Sequence, residues 1–291
     1  PLGFDKEAII TTWVPDQSAI SALGQRIRSL NGVDNVSFCI GAPLSSQNSS
    51  ANFYDPAVAK ERRADLGANF KAVDENYLSL FNIELLAGRN LRQADSASAV
   101  IASEQAILGL GFQSPHEAVG AKIRTGYDDN VREIIGVIKD FHAYSLHQKL
   151  EKVMLLYYQP EFYSMAIKLS AASSAAVASE TIHGVEEIWN ETFPAFIFDY
   201  RFLDAAIAAK YETEQNLGTL FMIFASIAVL IGALGLYGLI SFMANERTKE
   251  IGMLMAIGMK RIRVFTMIMI ETILISLAGA PLGMLMGYFT I

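Results

Sequence analysis

Leu217–Met243 reads LGTLFMIFASIAVLIGALGLYGLISFM, 27 residues without a charge. A helix rises about 1.5 Å per residue, so this run extends roughly 40 Å, beyond the ~30 Å hydrocarbon core of a bilayer. In hydrocarbon every backbone N–H and C=O needs an internal partner, which a helix supplies and an irregular segment does not. The run predicts a membrane-spanning helix. A second run, Val264–Ile291, is equally long but carries Glu271 and the series Gly279, Pro281, Gly283 and Gly287. Glycines four residues apart lie on one helix face and let another helix approach closely. Pro281 removes a helix hydrogen bond and predicts a bend. Glu271, about two turns inside, would cost about 2.5–3.5 kcal/mol against lipid; it is expected to face protein or a water-filled cleft, or to be protonated.

The interval Ala244–Arg263 holds five bases (Arg247, Lys249, Lys260, Arg261, Arg263) and two acids (Glu246, Glu250), a net of +3. Short basic loops stay in the cytoplasm, so 244–263 is predicted cytoplasmic and 1–210 extracytoplasmic. Residues 1–216 carry 18 Lys and Arg and 27 Asp and Glu, a net of −9, with no broad basic face. Nucleic acid is therefore not an expected partner, whereas the lipid bilayer is. The single cysteine, Cys39, cannot form an internal disulfide, and no Cys/His cluster has zinc spacing. No metal or cofactor is expected in this chain, and Cys39 reads as a small buried apolar residue.

Ahead of the first apolar run the pattern is α+β. Ala8–Val14 reads as a strand. Asp16 is expected to cap a helix to Leu30, with Ile20, Leu23, Ile27 and Leu30 at helical spacing. Val36–Ile40 follows as a strand, and the Ser-, Asn- and charge-rich stretch from Gly41 to Arg63 reads as an exposed loop. Further strands are expected at Leu66–Val73, Ala99–Ala102, Val153–Tyr158, Met165–Leu169 and Phe196–Phe202. A hairpin is expected from Lys122–Thr125 and Arg132–Ile138 around Tyr127–Asn130. Asn76–Phe81 reads as a helical turn, and helices are expected up to Leu110 and over Ser173–Trp189. From Asp204 a helix can run unbroken into the first membrane segment. The expected architecture is two subdomains, one from residues near both ends and one inserted between them, followed by transmembrane helices.

Catalytic motifs are missing. No G-x-x-x-x-G-K-[ST], G-x-S-x-G or H-E-x-x-H occurs, and Gly109 and Gly111 make a stray G-x-G behind a helix. Asp140, His142 and His147 could hold a metal or share a proton, but the spacing is loose and a strand end with a turn explains it.

The stretch ERTKEIGMLMAIGMKR from Glu246 resembles the cytoplasmic loop of the FtsX-like permeases of ABC transporters. It offers Arg247, then Glu250-Ile251-Gly252, then a short helix ending in Ala256-Ile257-Gly258, between two apolar runs. Asn76-Tyr77 through Leu85-Leu86-Ala87-Gly88-Arg89, and Arg132-Glu133-Ile134-Ile135-Gly136-Val137 followed by Asp140-Phe141-His142, are similar to stretches of the family's MacB-like periplasmic core. The resemblance implies a 1–210 periplasmic core and an incomplete FtsX-like transmembrane domain over 211–291, lacking a first and a last helix. It further implies a multi-pass protein of the bacterial cytoplasmic membrane, a second permease copy or half, and an ABC ATPase as separate subunit or fused domain. ATP hydrolysis is then expected in that partner rather than in this chain. The loop residues Glu246, Arg247, Glu250, Ile251, Gly252, Ala256 and Gly258 would dock on the ATPase, and Glu271, Gly279, Pro281, Gly283 and Gly287 would pack the membrane helices. Two other classes fit less of the sequence: a membrane sensor with a ligand-binding outer domain, and a membrane-anchored enzyme built on Asp140–His147.

Overall fold

The structure is a computed structural model that describes residues 2–45, 49–54, 66–96, 98–125, 130–143, 150–170, 174–246, 248–267, 269, 270 and 273. The chain divides into two compact units, Pro1–Tyr211 and Glu212–Ile291.

The first unit opens with β1 (Ile9–Trp13), α1 (Ile20–Arg28) and β2 (Val33–Cys39). Asp16 does not cap α1. Its carboxylate accepts the Ser18 N–H and hydroxyl, each at 2.8 Å, making a turn one step ahead of a helix whose N-cap is Ala19. The Gly41–Arg63 stretch is not wholly a loop either. β3 (Ser49–Tyr54) lies inside it and pairs with β4 (Leu66–Ala72), because Phe53 is an apolar anchor that a polar average conceals. The chain continues through α2 (Tyr77–Leu80), β5 (Leu85–Gly88), β6 (Ala99–Ser103), α3 (Glu104–Leu110), α4 (Pro115–Ala118), β7 (Lys122–Thr125) and β8 (Val131–Ile138). It closes with β9 (Val153–Leu156), β10 (Ser164–Leu169), α5 (Ala175–Thr192), β11 (Tyr200–Phe202) and α6 (Leu203–Glu246). β11 is shorter than the Phe196–Phe202 expectation, since only its last three residues pair with β1. The β7–β8 hairpin is present, with Ile123 opposite Arg132; its 126–129 turn and His147 lie outside the described residues.

Two sheets result. Residues from both ends form a four-stranded antiparallel sheet in the order β11-β1-β10-β2. The middle of the chain forms the order β5-β8-β6-β9-β4-β3-β7, and β7 returns to pair with β8, closing six strands into a barrel with β5 outside it. The sheets match the two expected subdomains, but they share a core. On β6 and β9, Ala99, Ile101, Val153 and Leu155 face the core shared with the terminal sheet, while Val100, Ala102, Met154 and Leu156 fill the barrel. Alternate residues on a strand point to opposite faces, so a strand buried on both faces reads as a continuous apolar run. These strands join the sheets in one unit. Leu203 and Ile207, the first turns of α6, also belong to the shared core.

A buried carboxylate fastens β2 to the segment after β4. Asp74 accepts from Ser37 Oγ at 2.6 Å, Phe38 N at 3.0 Å and Asn76 N at 3.1 Å. The Arg28 guanidinium is 4.0 Å away and donates instead to Val36 O. Burial therefore prevails and raises the Asp74 pKa to about 6 from 3.8. The folded state then holds a proton that the unfolded chain has already lost, so stability increases as pH falls from 7 through 6 and levels off near 3.8. Lys71, also buried, is lowered to about 8, which places its opposite dependence above pH 8. Residues 2–211 should be more stable at pH 5 than at pH 7 by about 1 kcal/mol. Urea unfolding at the two pH values measures this, and Asp74→Asn should flatten the slope; an unchanged slope would place it on another group.

Candidate functional site

The residue set singled out by sequence lies in the second unit. α6 reaches Glu246, Arg247 falls outside the described residues, and α7 (Thr248–Ala256) follows. The Thr248 hydroxyl donates to Asn245 O at 2.7 Å across the junction. α7 ends where the resemblance implies, at Ala256-Ile257-Gly258. Ile257 N donates to Met253 O at 3.1 Å and Gly258 N to Met255 O at 3.0 Å. Gly258 then turns the chain out of the helix at φ +94°, a left-handed conformation that strains any residue with a Cβ. Residues 261–267 are helical again.

α7 is a short helix with apolar residues in the open. Met253, Met255 and Ile257 are exposed, and so are Glu246, Lys249, Gly252, Ala256, Lys260, Arg261 and Arg263. A Cβ at Gly252 would meet nothing within 4 Å. Glycine inside a helix costs about 1 kcal/mol relative to alanine, and no contact among the described residues accounts for it. Exposed Met255 lies three residues, about one turn, from side-chain-free Gly252, and an exposed apolar side chain at such a place can seat another protein. The exposed methionines were legible as the apolar letters between the loop's bases, yet no periodicity separates them from a buried helix. Glu250 and Ile251 are in α7 by their backbone. Glu271, Gly279, Pro281, Gly283 and Gly287 lie outside the described residues.

Among the described residues Leu217–Met243 of α6 is long and apolar enough to cross a membrane, and it is not buried. Among the described residues no group of three or more His, Cys, Asp and Glu could hold a metal. Asp140 has a place in the fold. Its carboxylate accepts the Gln105 N–H at 3.0 Å in the first turn of α3, while His142 N bonds Leu2 O. The stretches around Gly88 and Gly136 also have structural roles. Gly88 and Gly136 face each other across β5 and β8, and Arg89 bonds Asp95 through both terminal nitrogens at 2.7 and 2.8 Å.

Residues 222–291 match the family described as FtsX-like permease C-terminal. Over 249 residues the chain is 23% identical to the macrolide export ATP-binding/permease protein MacB of Hahella chejuensis, covering 78% of this chain and 36% of that protein. Over 243 residues it is 22% identical to MacB of Escherichia coli K12, covering 78% and 37%. The chain thus spans little over a third of the length of these relatives. The solved periplasmic region of MacB from Actinobacillus actinomycetemcomitans superposes with a TM-score of 0.48 at 14% identity, over 72% of this chain and 94% of that one. The extracellular domain of the transporter YknZ from Gram-positive bacteria gives 0.45 at 16%, over 66% and 97%.

Proposed function

We propose, on the premise that a chain with an FtsX-like permease C-terminal segment and MacB relatives is an ABC transporter permease of the FtsX/MacB type, that this one transmits the work of a separate ATPase to its N-terminal unit. The observation that carries the reading is the exposed α7 with Gly252 and Gly258, following a run long and apolar enough to cross a membrane, most of which the family match also covers. On this reading ATP is bound and hydrolysed by an ABC ATPase, a separate subunit or a fused domain, seated on α7. α6 has no break between Leu203, which lies in the core of the first unit, and Glu246. On this reading a displacement at α7 travels along α6 toward the first unit. A second permease copy or half would complete the transmembrane assembly, with export or peptide and lipoprotein handling as the outcome.

The topology this requires has a direct check. Cysteine at Glu180, exposed on α5, should react with an impermeant thiol reagent in intact cells whose outer membrane, where present, has been permeabilised. Cysteine at Lys249 should react only after lysis. The native Cys39 does not interfere, since it is buried and burial raises its thiol pKa to about 12. The reverse labelling pattern would reject the orientation and the coupling with it.

A further inference from the structure

A cavity of about 540 Å³ opens in the N-terminal unit, and the permease reading makes no use of it. Its walls are the end of β1, the 41–45 segment after β2, the start of β10, the segment leading into β11 and the first turns of α6. Among the described residues of this unit the exposed aromatic side chains are Trp13, Tyr163, Phe196 and Phe202. Three of the four line this cavity, together with Ile197, which is 90% exposed. Large apolar side chains gathered at one concave place mark a binding surface rather than scattered exposure.

The walls are built in place. The Trp189 indole donates to Phe196 O at 3.0 Å and the Thr12 hydroxyl to Asp199 O at 2.7 Å, so the segment bearing Ile197 is held at both ends. Trp13 packs edge-to-face on Phe196 with ring centres 5.9 Å apart. Beneath the 41–45 segment the buried Lys71 ammonium reaches Gly41 O and Ala42 O, each at 3.4 Å. Leu44 in that segment sits at φ +60°, a conformation uncommon for a residue with a side chain and concentrated where shape serves a site.

Two charges stand in this frame. Asp199 and Arg201 both line the cavity, whereas the intervening Tyr200 does not. Neither side chain has an ion-pair or hydrogen-bond partner among the described residues, and they do not pair with each other. A lone cation would meet Arg201 and a lone anion Asp199; a zwitterion satisfies both. The geometry points to a binding site for a zwitterionic phospholipid-like amphiphile. Its phosphate lies on the Arg201 fork, its ammonium on Asp199 beside the aromatic faces, and its apolar chain along Trp13, Phe196 and Ile197. The source of such a molecule is the bilayer that the run beginning at Leu217, ten residues after Ile207 in the sequence, can cross.

Both tryptophans of the chain, Trp13 and Trp189, line the cavity, so intrinsic emission reports its occupancy. The full chain held in amphipol, free of added lipid, is titrated with dihexanoylphosphatidylcholine below its micellar concentration. A saturable shift in emission is expected, with dihexanoylphosphatidylglycerol, which lacks the ammonium, binding about tenfold or more weakly. Arg201→Glu should weaken the choline lipid by about tenfold or more, a charged hydrogen bond being replaced by repulsion. Ile197→Ser, at a position too exposed to affect folding, should weaken it with the melting temperature unchanged. No saturable shift, equal affinity for the two lipids, or indifference to both substitutions would overturn the site. These readouts need no ATPase, so failure here leaves the coupling proposal standing, and the converse.

Discussion

Replacing Glu250 by lysine should abolish ATPase co-purification and stimulated ATP hydrolysis while leaving expression and membrane topology as they were. Glu250 falls inside α7, two residues before Gly252, where a partner can approach the helix backbone without meeting a side chain. A charge paired across an interface costs about 2–5 kcal/mol when its partner is left buried and unpaired, and reversal adds repulsion. The loss in affinity should therefore be about thirtyfold at the least. A loop that merely anchors at the lipid surface predicts otherwise: a +3 interval would become more positive and hold the headgroups at least as well. Gly252→Trp gives a second, uncharged test by filling the open face next to exposed Met253 and Met255. Measured on the full-length protein, unchanged pull-down and unchanged hydrolysis in both variants would show that ATP hydrolysis is transmitted elsewhere.

The largest loss of stability is expected at the Gly88–Gly136 pair. A Cβ on Gly88 would stand 2.2 Å from Ile135 O, and one on Gly136 2.5 Å from Arg89 O. Both obstacles are backbone in the β5–β8 ladder, so neither can swing aside as a side-chain end would. Gly88 also has φ +78°. Left-handed strain and the overlap together should cost about 3–5 kcal/mol for Gly88→Ala. For a unit of this size that is a fall in melting temperature of roughly 10 °C. Gly136→Ala pushes apart the same pair of strands, so the double variant should lose less than the sum. Gly67→Ala is the control, since its Cβ meets only Asn52 Oδ1, at 3.9 Å, and should leave the melting point in place. Equal melting of Gly88→Ala and Gly67→Ala would mean that β5 can move away from β8 freely, and that this ladder does not hold the barrel's flank.

Both glycines sit in stretches that carry the family resemblance, and there the resemblance says where to look without saying why. A glycine letter shows no clash; the approach of Arg89 O to Gly136 exists only once β5 lies on β8. The same holds for Asp140. In sequence it reads as part of a strand end with a turn; in space it accepts a backbone N–H at the start of α3, thirty-five residues away in the chain, a partner that spacing does not show. Asp16 and β3 err for a different reason. A short carboxylate can close a turn as readily as cap a helix, and one buried phenylalanine among serines and asparagines is enough to bind a strand.

Local regularities were settled by the sequence alone. Twenty-seven uncharged apolar residues specify a helix that can cross a bilayer, because length and the need to satisfy the backbone in hydrocarbon leave little choice. Apolar spacing placed α1, local residue pattern placed α5 and most strands, and the family resemblance located the end of α7. What pairs over long distances was decided by tertiary structure. β10 inserts between β1 and β2, β7 returns to β8 to close the barrel, and alternate residues of β6 and β9 serve two cores. The cavity belongs to this second class. Trp13, Tyr163, Phe196 and Arg201 are spread over 189 residues of sequence, with nothing in their spacing to relate them, until the terminal sheet brings β1, β10 and β11 side by side.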